Sequence, residues 1–159
     1  MVKIKELKQA DFPILEEFIY WSIFTPPGFS LPDRSVISHP TISVYIEDFG
    51  KESDCGVFAE ADGKAVGAAW ARIIPAFGHI DDSTPELAIS ILPQYRNQGI
   101  GTRLMERLFE LLSLKGYVRT SLSVQKENPA VNFYLRLGYE IMGEKPEEYL
   151  MVKKLFNIR

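Results

Sequence analysis

The sequence predicts a mixed α+β domain, in which a central, mostly antiparallel sheet of about six or seven strands is flanked by about four helices. Three stretches predict this class. Residues 87–112 combine an alternating strand, a turn with two glycines and an amphipathic helix. Asp62-Gly63 separates two apolar runs and is typical of a two-residue hairpin turn. Asn128-Pro129 opens a further helix, which Gly138 ends.

The N-terminal third is predicted to hold one strand and two helices. Alternation over residues 2–7 predicts an edge strand, and an apolar stripe over 12–23 predicts a helix capped by Asp11. Repeated prolines over 25–40 exclude a long helix and predict a shaped loop with at most one short turn. Residues 41–49 fit either a short helix or a strand, and we favour the helix.

The remaining elements surround the central strand, turn and helix. Hairpin strands are expected over 57–61 and 64–74, and a polar loop follows over 75–85. Small residues over 67–69 leave the second hairpin strand thin, so another element can approach closely there. The helix opened by Asn128 is expected to run through Leu137. Later strands are predicted over 118–124, 139–142 and 149–156, which makes the element order βααβββαβαββ.

The composition is that of an ordinary globular protein, with 46% hydrophobic and 25% charged residues in a chain of 159. We expect one domain over residues 1–159. A net charge of −3 offers no basic surface for nucleic acid, and a neutral or cationic small partner fits better. No apolar run is long enough for a membrane span or a signal peptide, so we expect a cytoplasmic protein without a membrane partner. The single cysteine, Cys55, excludes an internal disulfide, and no Cys/His framework predicts a metal site.

The turn between the central strand and its helix is the strongest candidate for a binding site. Gly99 and Gly101 allow backbone N–H groups to converge without obstruction by a Cβ atom. The first-turn amides of a helix lack intrahelical partners and lie at the positive end of the helix dipole. These residues therefore predict an anion site, and a phosphate group fits it well.

Two segments resemble the motifs of the GNAT superfamily of N-acetyltransferases. The segment from Ile91 to Gly101, ILPQYRNQGIG, resembles its acyl-CoA motif, which reads Arg or Gln, two residues, Gly, one residue, Gly or Ala. The segment from Asn128 to Tyr139, NPAVNFYLRLGY, looks like the later helix of the superfamily. The resemblance covers residues 86–139 in detail and the whole chain in element order, so it implies a GNAT fold.

The resemblance implies acetyl-CoA as the acyl donor. Backbone groups of Ile89, Ser90 and Ile91 would pair with the pantetheine arm. Asn128 would reach the same arm as well as cap its helix. Arg136 is expected either to meet the 3′-phosphate or to remain a solvated helix charge. The pyrophosphate would be held in the glycine turn by Arg96, Asn97, Gln98, Gly99, Ile100, Gly101 and Thr102.

Acetyl transfer to an amine also needs a base and an acid, because an alkyl amine of pKa about 10 is mostly protonated at neutral pH. By the resemblance, Tyr134 is the general acid that returns a proton to the departing thiolate, and a core aromatic is the alternative. Glu86, at the start of the central strand, is the first candidate for a base that acts through an ordered water. His79 and Asp81 in the neighbouring loop are the next candidates.

The acceptor would lie beside the proline-rich loop by the same resemblance. Arg34 is a candidate partner for a substrate carboxylate. His79 belongs to the polar loop 75–85, which is either a solvated turn or an acidic lip that attracts an ammonium group. Three aromatic residues are either core residues or walls of an acceptor pocket, namely Trp21, Phe24 and Phe29.

The sequence therefore predicts an N-acetyltransferase that acts on the primary amine of a small molecule or an amino-acid-like acceptor. Two alternatives remain open, which are a non-catalytic acyl-CoA-binding sensor and a transferase acting on a protein or peptide amine. The final strands offer a possible seam for a homodimer.

Overall fold

The computed structural model describes residues 1–156, which form a seven-stranded sheet with four α-helices packed against it. The strands are β1 (Val2–Glu6), β2 (Cys55–Ala61), β3 (Lys64–Arg72), β4 (Glu86–Ile91), β5 (Arg119–Gln125), β6 (Glu140–Glu144) and β7 (Glu148–Lys154). The helices are α1 (Leu15–Ser22), α2 (Pro40–Ser43), α3 (Ile100–Leu114) and α4 (Ala130–Arg136). The order across the sheet is β1-β2-β3-β4-β5-β7-β6. Both the predicted α+β class and the predicted element order are confirmed.

The strand pairing is mixed, as expected from alternating hairpins and crossovers. The pairs β1–β2, β2–β3, β3–β4, β5–β7 and β6–β7 are antiparallel, whereas β4 and β5 run parallel. The predicted hairpin turn is confirmed, since Asp62 and Gly63 have φ values of 52° and 75°. Two successive left-handed residues are the signature of a type I′ turn.

The parallel strands β4 and β5 meet at one residue pair and then separate. Glu86 is in register with Ser121, and the Ser121 N–H donates to the carbonyl of Pro85 over 3.0 Å. The Thr120 hydroxyl donates to the same carbonyl over 2.8 Å. Within residues 1–156, β4 forms no other ladder pair with β5, although it stays paired with β3 as far as Ile91. One edge of β4 therefore faces a V-shaped opening in the middle of the sheet.

Helices cover both faces of the sheet around this opening. On one face, the hydroxyl of Ser90 donates to the carbonyl of Phe18 in α1 over 2.6 Å. Ile91 is the next strand residue and points to the opposite face, which α3 covers. A Cβ atom on Gly67 would lie 2.7 Å from the Ile91 side chain and 3.3 Å from that of Leu104 in α3. The thin middle of β3 is thus where α3 approaches closely.

The first helix is shorter than predicted. Residues Gln9–Ile14 form a 3-10 helix that contains Pro13, and the α-helical part begins at Leu15. Asp11 is not the helix cap that the sequence suggested. Its carboxylate instead accepts the backbone N–H of Lys8 over 2.9 Å and so supports the 3-10 turn from within.

The helix expected over 41–49 is confirmed only as the single turn Pro40–Ser43, and the strand alternative is wrong. Irregular turns follow as far as Asp48. The reason is a competing donor, since the guanidinium of Arg72 donates to the carbonyls of Val44 at 3.1 Å and Glu47 at 2.8 Å. These carbonyls are therefore bonded to the sheet rather than to a continuing helix.

The single thiol of the chain lies in the core, and the described residues form neither a metal-binding cluster nor a membrane-spanning helix. Cys55 is buried, and burial raises the pKa of its thiol to about 11, which keeps it protonated. Residues 1–156 hold no group of three or more His, Cys, Asp and Glu side chains placed to bind a metal ion. No helix in the same range is both long and apolar enough to cross a membrane.

Candidate active site

A cleft of about 750 Å³ lies at the opening between β4 and β5. It is lined by β4, by the turn that follows β4 and the first residues of α3, by α4 with the two residues before it, and by the end of α1 with the chain that follows it. Of the residues predicted to hold the donor, those in the lining are Ile89, Ser90, Ile91, Arg96, Asn97, Gly99, Ile100, Gly101, Thr102, Asn128 and Arg136. Gln98 is absent from this lining, and its side-chain amide donates to the carbonyl of Gln94 over 3.3 Å.

The turn before α3 has a backbone that presents N–H groups to the cleft. Asn97 and Gly99 adopt left-handed conformations, with φ values of 61° and 79°. The turn leads directly into α3, whose first residues Ile100, Gly101 and Thr102 line the cleft and have backbone N–H groups without intrahelical partners. Gly101 lies within this first turn, where a Cβ atom would come within 3.2 Å of the Phe133 ring. The glycine therefore lets α3 and α4 approach each other beside the cleft.

The open edge of β4 also presents backbone groups to the cleft. The N–H of Leu92 donates to Val66 over 2.9 Å, and hydrogen-bonded pairs alternate along an antiparallel ladder. Ser90 thus directs its backbone groups toward β3, whereas Ile89 and Ile91 direct theirs toward the opening. Consistent with this alternation, the carbonyl of Ile91 accepts a hydrogen bond from Nε of Arg96 over 3.1 Å. The predicted pairing edge therefore resides in Ile89 and Ile91.

Helix α4 brings two predicted residues to the cleft from the other side. The side-chain oxygen of Asn128 accepts the N–H of Ala130 over 2.9 Å, so the predicted capping contact is present. Tyr134 lies one to two turns further along and lines the cleft. Its ring packs against those of Phe133 at 5.5 Å and Tyr139 at 5.7 Å between centroids. Burial raises the pKa of Tyr134 to about 12, so its phenol is protonated at neutral pH.

The chain that leaves α1 forms the remaining wall. Two of the three predicted aromatic residues, Trp21 and Phe24, line the cleft. Phe29 does not, because its side chain is 73% exposed on the outside of the proline-rich loop. The other residues of this wall, which sequence reasoning did not single out, are Ser22, Ile23, Thr25 and Leu31.

Comparison with known proteins agrees with this geometry. The profile of the Acetyltransferase (GNAT) family matches residues 16–139. The chain belongs to the GNAT acetyltransferase family. It is therefore an acyl-CoA-dependent N-acetyltransferase.

Solved structures with similar folds come from several members of the GNAT family. The ribosomal-protein-S18-alanine N-acetyltransferase of Escherichia coli is 19% identical, with a TM-score of 0.68 over 100% of this chain and 96% of that one. PaiA N-acetyltransferase of Thermoplasma acidophilum, solved with coenzyme A, is 18% identical, with a TM-score of 0.70 over 97% and 99%. A phosphinothricin acetyltransferase of Sinorhizobium meliloti, solved with acetyl-CoA, is 18% identical, with a TM-score of 0.66 over 97% and 88%. These likenesses extend over nearly the whole fold.

In this acetyltransferase, Glu86 is the first residue of β4 and lies where β4 and β5 meet. Its side chain is 2% exposed and is not part of the cleft lining. Oε2 accepts the hydroxyl of Tyr45 and, over 2.9 Å, the N–H of Gly78. Oε1 is buried and has no hydrogen-bond partner among the described residues. Burial raises the pKa of Glu86, while the hydrogen bonds from Tyr45 and Gly78 act in the opposite direction.

Two further predicted residues lie outside the cleft. The guanidinium of Arg34 binds the carboxylate of Glu17 at 2.5 Å and lies 4.1 Å from the centre of the Tyr20 ring. His79 lies in the loop 75–85, where Nε2 is 3.9 Å from Asp82 Oδ1. Neither side chain lines the cleft.

Tyr45 is the functional candidate that sequence reasoning missed. It lies in the irregular turns after α2, and its partner Glu86 is 41 residues away. The second anchor, the Gly78 N–H, belongs to the loop 75–85, whose Gly78 carbonyl accepts the Ser121 hydroxyl over 2.6 Å. No local sequence pattern predicts this arrangement, because Tyr45, Gly78 and Glu86 are brought together only by the tertiary fold.

Proposed function

We propose that this enzyme transfers the acetyl group of acetyl-CoA to the primary amine of a small molecule or an amino-acid-like acceptor. The observation that carries the proposal is that two features suited to binding the donor line the same cleft. The open edge of β4 supplies strand-like pairing groups, and the first turn of α3 supplies free amides at the positive end of a helix. Solved relatives that contain coenzyme A or acetyl-CoA support the identity of the donor.

The described residues fit such a donor in shape and charge. A strand-like amide arm would pair with Ile89 and Ile91, beside Asn128. An anionic pyrophosphate would be held by the amides of the turn and of the first turn of α3. Arg96 and Arg136 are the only charged side chains in the cleft lining of residues 1–156, and both are cationic. The lining therefore complements the negative charge of a coenzyme A ester.

Acetyl-CoA supplies an acetyl group activated as a thioester. Tyr134 would hold its phenolic proton at the position of the leaving sulfur. Because the raised pKa keeps this phenol protonated, we assign it the role of a hydrogen-bond donor that stabilises the thiolate before proton transfer completes.

Glu86 would accept the amine proton through a water rather than directly. Its 2% exposure and its absence from the cleft lining argue against direct contact with the amine, whereas a bridging water would use a buried polar atom that has no protein partner. Oε1 of Glu86 is such an atom. Tyr45 would act as a positioning residue, since its hydroxyl engages Oε2 and leaves Oε1 for the water.

The direct test is release of free thiol from acetyl-CoA with a panel of primary amines, followed by mass detection of the acetylated product. We expect transfer to at least one small amine. Tight acetyl-CoA binding with no transfer to any small or peptide amine would instead support the acyl-CoA sensor. Transfer only to a peptide N-terminus would support the protein-amine alternative.

The water-mediated base has its own test in Glu86→Gln. The amide that replaces the carboxylate keeps the size of the side chain but cannot accept the proton. The acid limb of kcat/KM that reflects Glu86 should therefore be lost, and kcat/KM should instead rise with pH up to the pKa of the free amine, about 10. An unchanged profile would assign the base to His79 or Asp81, or to no protein group.

A further inference from the structure

We infer that the acceptor is a monoamine carried on an apolar or aromatic body, with neither a second ammonium group nor a carboxylate. This inference rests on the proposed transfer to a small amine and specifies its substrate class. The turn before α3 and the edge of β4 are assigned to the donor, and the inference is drawn from the chemistry of the cleft wall that remains.

The remaining wall consists of the last two residues of α1 and the chain that follows them, and it is largely apolar. Trp21, Ile23, Phe24 and Leu31 supply its apolar surface, and Ser22 and Thr25 add two hydroxyl-bearing residues. Helix α1 lies on the same face of the sheet as Glu86 and Ser90, because these two residues are separated by an even number of strand positions. An acceptor that delivers its proton toward Glu86 must therefore pass along this wall.

The acidic side chains near this wall lie outside the cleft lining, and those of Glu17 and Asp33 already accept hydrogen bonds from the protein. No Asp or Glu of residues 1–156 belongs to the cleft lining. Glu17, one helical turn before Trp21, accepts the indole N–H of Trp21 over 2.8 Å and binds Arg34 through both oxygens, at 2.5 and 3.2 Å. The Asp33 carboxylate accepts the N–H of Ser35 over 2.8 Å within its own turn. A polyamine would thus lose hydration along the wall without gaining an ion pair.

A carboxylate on the acceptor would likewise find no free cationic side chain along this wall among the described residues. Arg34, the sequence candidate for such a group, is held by Glu17 and stacked over Tyr20. The cationic residues of the lining, Arg96 and Arg136, lie with the turn and with α4 on the donor side. An amino acid would therefore place its carboxylate against apolar side chains.

The apolar wall also favours the reactive form of the amine. Removal of water disfavours the charged state of an ammonium group and lowers its pKa. An amine that enters along Trp21 and Phe24 is therefore more easily deprotonated than in bulk water. A polycation would forfeit this advantage, because its second charge has to stay hydrated.

The experiment compares kcat/KM for four probes at fixed acetyl-CoA, namely 2-phenylethylamine, phenylalaninamide, phenylalanine and spermidine. We expect 2-phenylethylamine and phenylalaninamide to exceed both others by about tenfold or more, the range of discrimination that apolar pockets reach. Phenylalanine differs from its amide only in the carboxylate, so this pair isolates that charge. Transfer that favours spermidine or phenylalanine would overturn the inference while leaving the proposed transferase intact. Acetyl-CoA binding without transfer to any amine would overturn both.

A charge placed in the wall provides the second test. Leu31→Asp introduces a carboxylate at a residue that lines the cleft and is 59% exposed, so the fold tolerates the change. We expect the ratio of spermidine to 2-phenylethylamine kcat/KM to rise about tenfold. Ser30→Asp is the matched control, since it adds the same charge at the neighbouring exposed residue outside the lining. An equal change of the ratio in both variants, or no change in Leu31→Asp, would contradict the assignment of the wall to the acceptor.

Discussion

Tyr134 is either the general acid of the proposed reaction or a core aromatic residue, and these two interpretations predict different kinetics. If its phenol serves the departing thiolate, Tyr134→Phe should lower kcat by about 10²- to 10⁴-fold, the usual size of a general acid contribution. The affinity for acetyl-CoA should hardly change, because the ring and its packing remain. Steady-state kinetics and calorimetric titration measure the two quantities separately.

The control for Tyr134 is its aromatic neighbour. Tyr139 is 2% exposed, lies 5.7 Å away between ring centroids and is outside the cleft lining. Tyr139→Phe removes the same atom from the same cluster, and its kcat should equal that of the wild type. A wild-type kcat in Tyr134→Phe would leave Tyr134 as a core aromatic.

Tyr45 tests the proposed base through the pH profile. Its hydrogen bond favours the ionised form of Glu86, so Tyr45→Phe should raise the pKa of Glu86 further above its ordinary value. Because the base must be ionised, the acid limb of kcat/KM should move to higher pH. The other charged groups acting on Glu86 stay in place, with His79 lowering its pKa and Glu148 raising it.

The comparison variant for Tyr45 is Tyr117→Phe, since Tyr117 lies just after the end of α3 and makes no hydrogen bond with Glu86. Its profile should overlay that of the wild type. A purely structural role of Tyr45 would lower kcat/KM equally at every pH, without displacing the limb.

At the scale of elements, the donor half of the cleft could be predicted from the sequence because it is built from contiguous segments. A strand, two glycines and a helix start over residues 87–112 place the amides of the turn by local geometry alone. The surroundings of the proposed base and of Arg34 could not be predicted in the same way. The orientation of Arg34 depends on Glu17, and that of Glu86 on Tyr45, at separations of 17 and 41 residues. Such pairs leave no periodic signal in the chain.

The turn before α3 yields a prediction at this scale. Gly99 has a φ of 79°, and a Cβ atom there would meet nothing within 4 Å, so Gly99→Ala adds backbone strain alone. The strain amounts to about 1–2 kcal/mol and can be relieved by a shift of the turn. We expect acetyl-CoA to bind about tenfold more weakly, as measured by calorimetry, because the amides of the turn no longer converge.

Gly63 is the control for the turn, since its φ of 75° and its open surroundings match those of Gly99 while it lies in the β2–β3 hairpin. Gly63→Ala should lower stability by the same amount and leave acetyl-CoA affinity unchanged. Equal losses of acetyl-CoA affinity in the two variants would mean that the affinity follows the overall stability of the protein and not the conformation of the turn before α3.

For the molecule as a whole, Arg72 of β3 joins the sheet to the irregular segment that carries Tyr45 and also forms an ion pair with Asp54, the residue before β2. Both side chains are 2% exposed and their atoms Nη2 and Oδ2 are 3.0 Å apart. Arg72 also donates to two carbonyls of the segment after α2, so it fixes that segment to β3. The position of the proposed base thus depends on a contact outside the cleft.

Arg72→Met should therefore weaken the whole fold, because it keeps the apolar stem but leaves Asp54 buried without its partner. We expect the free energy of unfolding to fall by about 3–5 kcal/mol in urea titrations. Lys5→Met, at the exposed pair with Glu60, is the matched control and should cost about 1 kcal/mol or less. If the link to Tyr45 is rigid, Arg72→Met should also lower kcat at temperatures where it is still folded, while acetyl-CoA affinity stays constant because the donor half lies in other elements. A loss of acetyl-CoA affinity equal to the loss of kcat would show that Arg72 stabilises the donor-binding residues as much as the segment that carries Tyr45.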